Sequence, residues 1–219
     1  MSDDTEGDKN KNGCKLVLLG DSGVGKTCII ARYVSGKFDQ NVASTNGASY
    51  ATKEIKLDNG QTLGVDLWDT AGQEKYKAIA KFFYKDAAIC VLIYDITRKE
   101  SFDNVKNYWY PKLKENGEKN FVLGVAGNKC DDYENEAVPE NDAREFAQSV
   151  GAIFALTSAK ENQGINEMFK NLANKYIDPN FQQKWNEDKQ ERNEASPKPN
   201  ITINKEDVKP VKKKKGGFY

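Results

Sequence analysis

No histidine occurs among the 219 residues. That absence excludes serine or cysteine triads with an imidazole base, His-ligated zinc, and a charge switch near neutral pH. Cysteine is scarce: the four present, Cys14, Cys28, Cys90 and Cys130, form no CxxC pair. They are read as reduced thiols, with neither disulfides nor a zinc site expected. Long apolar runs are lacking too. The longest, 87–94, has eight residues, where about 20 are needed to cross a bilayer as a helix. The first eight residues are acidic and polar, unlike a secretory signal or an Arg-rich transit peptide. Net charge is also absent, with 33 Lys+Arg against 33 Asp+Glu, while 38% hydrophobic residues suffice for a real core. A cytoplasmic protein is expected, without a transmembrane segment and without a nucleic-acid partner.

The zero net charge is unevenly distributed. Residues 1–13 hold four acids and two lysines, net −2, and residues 178–219 hold ten bases and seven acids, net +3, which leaves the body at −1. Neither flank has apolar periodicity, so neither buries enough surface to offset its ordering entropy. Three segments are expected: an acidic disordered extension over 1–13, a folded domain over 14–177, and a largely disordered tail over 178–219 with a basic end. Within the body, continuous apolar runs at 15–20, 89–94, 121–126 and 152–156 read as strands covered on both faces, hence a parallel sheet. Amphipathic stretches near 25–35, 100–115, 140–150 and 164–176 read as helices. Strand-like segments at 50–57 and 63–68 are joined by Asp58-Asn59-Gly60, a hairpin signal. The predicted fold is α/β: a doubly wound, mostly parallel six-stranded sheet with one antiparallel edge pair and about five flanking helices.

The chemistry begins at Gly20-Asp21-Ser22-Gly23-Val24-Gly25-Lys26-Thr27, which fits GxxxxGK[ST] after a strand and at the start of a helix. Such a loop turns its backbone N–H groups toward phosphate oxygens, with the positive end of the helix dipole behind them. Ser22 through Thr27, together with Cys28, are the candidate phosphate-binding residues. Lys26 neutralises the β- and γ-phosphates, and the Thr27 hydroxyl is a ligand for Mg2+. Asn128-Lys129-Cys130-Asp131 follows a strand and supplies a base reader. The Asp131 carboxylate accepts from the two N–H donors on guanine's Watson–Crick edge, which adenine does not present. Asn128 either meets the N7 side of the base or braces the phosphate loop, and the stem of Lys129 lies over the ring. Thr157-Ser158-Ala159-Lys160 again follows a strand, with backbone amides in reach of guanine O6. Both tetrapeptides stand at strand C-termini, where such sheets bind ligands. The third element is Trp68-Asp69-Thr70-Ala71-Gly72-Gln73-Glu74. Asp69 holds Mg2+ through water, the Gly72 N–H meets the γ-phosphate, and Gln73 orients the attacking water. Phosphoryl transfer needs positioning and charge stabilisation more than covalent help, so a chain without histidine suffices.

As a set, these residues resemble the Rab-type small GTPases of the Ras superfamily, P-loop proteins, over roughly 14–177. Tyr94-Asp95-Ile96-Thr97 with Ser101-Phe102 adds to the likeness. The resemblance implies a γ-phosphate-sensing threonine eighteen residues beyond Thr27, where Thr45 stands, serving both catalysis and Mg2+. It implies Phe38 against the guanine edge, and an aromatic surface of Tyr50, Trp68 and Phe83 read by effectors. Its implied activity is slow GTP hydrolysis to GDP by a switch in vesicle traffic on endomembranes, endosomal ones among them. Its implied partners are an exchange factor, a GTPase-activating protein and GTP-state effectors. The alternative is a GTP-loaded scaffold that hydrolyses little. Asn46 departs from the apolar residue usual after the sensing threonine, and no C-terminal cysteine offers a prenylation site. The five lysines over 209–215 give peripheral membrane contact at about 1 kcal/mol per charge.

Overall fold

A strand with apolar side chains on both faces needs cover on both, and helices packed on either side of a sheet provide it. The computed structural model describes residues 14–40, 45, 48–70, 83–117 and 120–181, all in a unit of the chain that ends at Gln182. The strands are β1 Cys14–Leu19, β2 Ala48–Lys56, β3 Thr62–Thr70, β4 Ile89–Asp95, β5 Val122–Asn128 and β6 Ile153–Thr157. The helices are α1 Lys26–Ser35, α2 Lys99–Asn104, α3 Tyr110–Asn116, α4 Glu140–Ser149 and α5 Ile165–Ile177; a π-helical turn, Val105–Trp109, joins α2 to α3. The expected extension 1–13, the expected tail 178–219 beyond residue 181, and the expectations for Asn46, Gly72 and Gln73 lie outside the described residues.

The sheet runs β2-β3-β1-β4-β5-β6. Every neighbouring pair is parallel except β2 with β3, as the hairpin signal required. Alternation along the central strands divides the core. Leu16, Leu18, Val91 and Ile93 face α1 and α5, meeting Ile29, Phe169 and Leu172. Val17, Leu19, Leu92 and Tyr94 face the other way, meeting Phe102, Trp109, Leu113 and Ala143 from α2, the π turn, α3 and α4. The parallel strands β1, β4, β5 and β6 all finish on one edge. Asp95, Asn128 and Thr157 sit side by side there in the register, and the loop from Gly20 follows β1 on the same edge.

Candidate functional site

The loop from Gly20 to Gly25 turns where only glycine fits at its two ends. A Cβ on Gly20, at φ 149°, falls 2.2 Å from the Ile93 carbonyl oxygen, and one on Gly25, at φ 97°, falls 2.3 Å from Asn128 Nδ2. Gly25 caps α1, so the N–H groups of the first helical turn face the loop. Lys26 is 5% exposed. Its Nζ donates to the carbonyls of Gly20 (2.7 Å) and Asp21 (2.9 Å), and burial lowers its pKa to about 8. Asn128 Nδ2 donates to the Val24 carbonyl at 2.8 Å, while its Oδ1 accepts from the Thr157 hydroxyl at 3.2 Å. Of the two roles open to Asn128, the geometry gives the brace. Val24 turns its side chain into the core.

Three oxygens converge beside this loop. Thr27 Oγ1 donates to Asp69 Oδ2 at 2.7 Å, Thr45 Oγ1 donates to the same oxygen at 3.1 Å, and the two hydroxyl oxygens lie 2.7 Å apart. Two hydroxyl protons serve three close contacts, and the other Asp69 oxygen, Oδ1, is buried with no hydrogen-bond partner among the described residues. Burial pushes the Asp69 carboxyl above its ordinary pKa, against hydrogen bonds from Thr27 and Thr45 and the charge of Lys26. Hard oxygen donors at this spacing suit a hard cation. An octahedral ion with ligands at about 2.1 Å places adjacent oxygens about 3 Å apart.

The far end is built by the two loops after β5 and β6. Cys130 N–H donates to the Thr157 carbonyl at 3.1 Å, tying one loop to the other. Asp131 Oδ1 accepts from the Ser158 hydroxyl at 2.5 Å, and Lys160 Nζ stands 3.7 Å from Oδ2. Ser158 Oγ in turn accepts from the Glu161 N–H at 2.9 Å. Lys129, at φ 67°, is held by an ion pair of 2.6 Å to the buried Asp95. Burial opposes the charge on Asp95, but hydrogen bonds from Lys129 and Thr97 outweigh it and hold the carboxyl below its ordinary pKa. The stem of Lys129 is thereby fixed at both ends.

Between the two ends lies a cavity of about 550 Å3, within the usual range for small-molecule sites. The sequence-derived residues Ser22, Gly23, Gly25, Lys26, Thr27, Cys28, Phe38, Thr45, Asn128, Lys129, Asp131, Ala159 and Lys160 line it. Ser158 and Asp69 reach it through their bonds to Asp131 and Thr27. Gln40, Thr70 and Asp132 also line it without having been singled out in the sequence. Nor was Arg32, whose guanidinium grips the Ala159 and Lys160 carbonyls from behind. Thr70 and Asp132 stand in or beside motifs read for other residues, whereas no local pattern marks Gln40 or Arg32.

Away from the cavity, Tyr50 is 56% exposed on β2. It stands opposite Trp68 in the β2–β3 register, with ring centroids 5.4 Å apart and ring planes inclined at 66°. Trp68 and Phe83 are half-buried against the same core cluster. One ring of the expected aromatic surface is therefore presented to solvent, over two that also pack.

Comparison with known proteins agrees with this geometry. The Ras family model matches residues 15–178. The chain is 44% identical to Ras-related protein Rab-31 of Mus musculus over 159 residues, which cover 73% of this chain and 80% of that one. It is 43% identical to Ras-related protein Rab-22A of Homo sapiens over 159 residues, 73% and 81% of the two chains. It is 39% identical to Ras-related protein Rab5A of Oryza sativa subsp. japonica over 171 residues, 78% and 83% of the two chains.

Proposed function

Since the chain belongs to the Ras family, among its Rab-type members, and so is a switch that hydrolyses GTP to GDP in vesicle traffic, we propose that the cavity described above is its guanine-nucleotide and Mg2+ site. The observation that carries the reading is the pairing of two unlike ends in one pocket. The loops after β5 and β6 offer a carboxylate and amides to a base, and 22–28 with Thr45 and Asp69 offers N–H groups, an ammonium and three converging oxygens to phosphates and a cation. Thr27, Thr45 and Asp69 are the residues that hold Mg2+, which when bound neutralises charge on the phosphate oxygens.

Each residue then has a physical task. Lys26, buried at 5% exposure, exchanges the Gly20 and Asp21 carbonyls for phosphate oxygens. Thr45 and the Gly72 N–H sense the γ-phosphate, and their segments relax when it leaves. Gln73 orients the attacking water. The phosphate loop contains no arginine, so full rates need an activating protein whose arginine adds about 10³ to 10⁵. Thr45 in the oxygen cluster supports a hydrolysing switch over an inert scaffold. Effectors read Tyr50, Trp68 and Phe83 in the GTP state, an exchange factor empties the pocket, and the lysines over 209–215 add peripheral contact with anionic endomembranes, endosomal ones among them.

Native mass spectrometry of the purified chain is expected to find GDP or GTP bound, and single-turnover assays to find slow hydrolysis. Gln73→Leu is expected to keep GTP bound and slow its cleavage by at least about tenfold. Unchanged hydrolysis in that variant would remove Gln73 from its role, and a chain purified with an adenine nucleotide would refute the base reading.

A further inference from the structure

We propose that Arg32 is a positioning residue for the base end of the pocket, a latch that sets how long the nucleotide stays and how well its O6 is read. The inference rests on the nucleotide site proposed above. Arg32 lies in the last turn of α1, and its side chain touches no part of the cavity lining except from behind. Three nitrogens of one guanidinium are used: Nε donates to the Ala159 carbonyl at 2.7 Å, Nη2 to the Lys160 carbonyl at 2.9 Å, and Nη1 to the Gly36 carbonyl at 2.6 Å. Its Cζ also stands 5.7 Å from the centroid of Phe38, which lines the pocket. The two loop carbonyls are 127 and 128 residues away in sequence.

Arginine suits this position for its shape more than its charge. The planar fork presents donors in fixed directions, so two consecutive carbonyls on one side and a third on the other are met by one rigid group. Lysine, a single flexible ammonium, reaches one of them at a time. The bond to the Ala159 carbonyl has a consequence on the opposite edge of the same peptide unit. In a trans peptide the C=O and the following N–H point in opposite directions. Fixing the Ala159 carbonyl toward Arg32 therefore fixes the Lys160 N–H on the far edge, in a loop whose Ala159 and Lys160 line the pocket.

The latch also joins the two halves of the site. α1 opens with Lys26 and Thr27 at the phosphate end and carries Arg32 six residues on, about 9 Å along its axis. One helix thus holds both ends of the nucleotide. The paired Ser158 and Gln163 bonds and the Asp131–Ser158 bond stay within the base-reading half, while Thr157 reaches the phosphate loop only through Asn128, which braces the Val24 carbonyl.

The test uses the full chain loaded with methylanthraniloyl GDP, chased with unlabelled GDP, in wild type, Arg32→Ala and Arg32→Lys. Affinities are measured in parallel for 6-thioguanosine diphosphate, which keeps guanine's N1–H and C2 amino group but has sulfur, a weaker acceptor, in place of O6. Both variants are expected to release GDP about ten- to a hundredfold faster, as the loss of two net hydrogen bonds implies. Their preference for GDP over the 6-thio analogue is expected to fall by a similar factor, since only the contact to O6 is misplaced. Should Arg32→Ala fail to fold, Arg32→Lys, which keeps the charge and the stem, carries the comparison. Unchanged release, release accelerated equally for both nucleotides, or full rescue by lysine in a selective wild type would overturn the latch alone. A wild type that does not prefer GDP to the analogue would overturn the reading of the base end itself.

Discussion

Asp131 carries the choice of base on one carboxylate, and Ser158 and Lys160 hold that carboxylate in place. Asp131→Asn replaces an acceptor with a donor at one oxygen. The preference for guanosine over xanthosine diphosphate is expected to drop by at least about 100-fold, measured by competitive nucleotide binding. Lys26 makes a pH prediction. Its pKa, lowered to about 8 by burial, means that the ammonium is present at lower pH and lost above it, and phosphates bind the protonated form. GDP affinity is therefore expected to be flat below about pH 7 and to fall above about pH 8, with proton uptake on binding detectable by calorimetry in buffers of different ionisation heat. Tyr94 is a third case. Its hydroxyl is buried with no hydrogen-bond partner among the described residues and abuts Gly127, where a Cβ would meet it at 2.6 Å. Tyr94→Phe removes an unpaired polar atom and is expected to leave stability unchanged or raise it by about 1–2 kcal/mol in denaturant titration.

At the scale of elements, the run from α2 through the π turn to α3 holds the phosphate loop from outside. Trp109 Nε1 donates to Asp21 Oδ1 at 2.8 Å, Asn104 Nδ2 to Asp21 Oδ2 at 2.7 Å, and Arg98 to the Ser22 carbonyl at 2.8 Å. An acidic residue inside a phosphate-binding loop is tolerable because both its oxygens are turned away and paired. Trp109→Phe keeps the ring in the core but strips one partner from a buried carboxylate, and is expected to cost about 1–3 kcal/mol, read as a lowered melting temperature. The helix itself was legible from apolar spacing over 100–115. The π turn was not, because one wider turn shifts the register by a fraction of a residue that a 3.6-residue pattern does not resolve. The strands were legible because burial on both faces writes continuous apolar runs, and the hairpin because Asp58-Asn59-Gly60 has its own turn chemistry. Lys26, Asn128 and Asp131, singled out by local motifs, line the cavity. Arg32 and Gln40 carry no such motif, and the Arg32 contacts depend on carbonyls more than a hundred residues away.

For the whole molecule, a pocket assembled from β1, β3, β5 and β6 ends couples ligand binding to global stability. GDP at about 1,000 times its dissociation constant adds about 4 kcal/mol to the folded state. Removal of nucleotide by chelation and exchange is expected to lower the melting temperature by about 8–16 °C for a chain of this length. A shift that small molecules lacking the base reproduce in full would mean that the phosphate end alone is coupled to the fold.

The strand order also sets a timetable. The phosphate loop leaves β1, the first strand made, whereas the second of the two base-end loops follows β6, the last strand and the sheet's edge. A chain emerging from the ribosome has the sequence of its phosphate loop and of Asp131 before Thr157 has been synthesised, but domains fold as units only once their sequence is out. Nucleotide capture with guanine selectivity is thus a late event of biosynthesis, since Asp131 waits for Ser158 and Lys160 to hold its carboxylate and the sheet waits for β6.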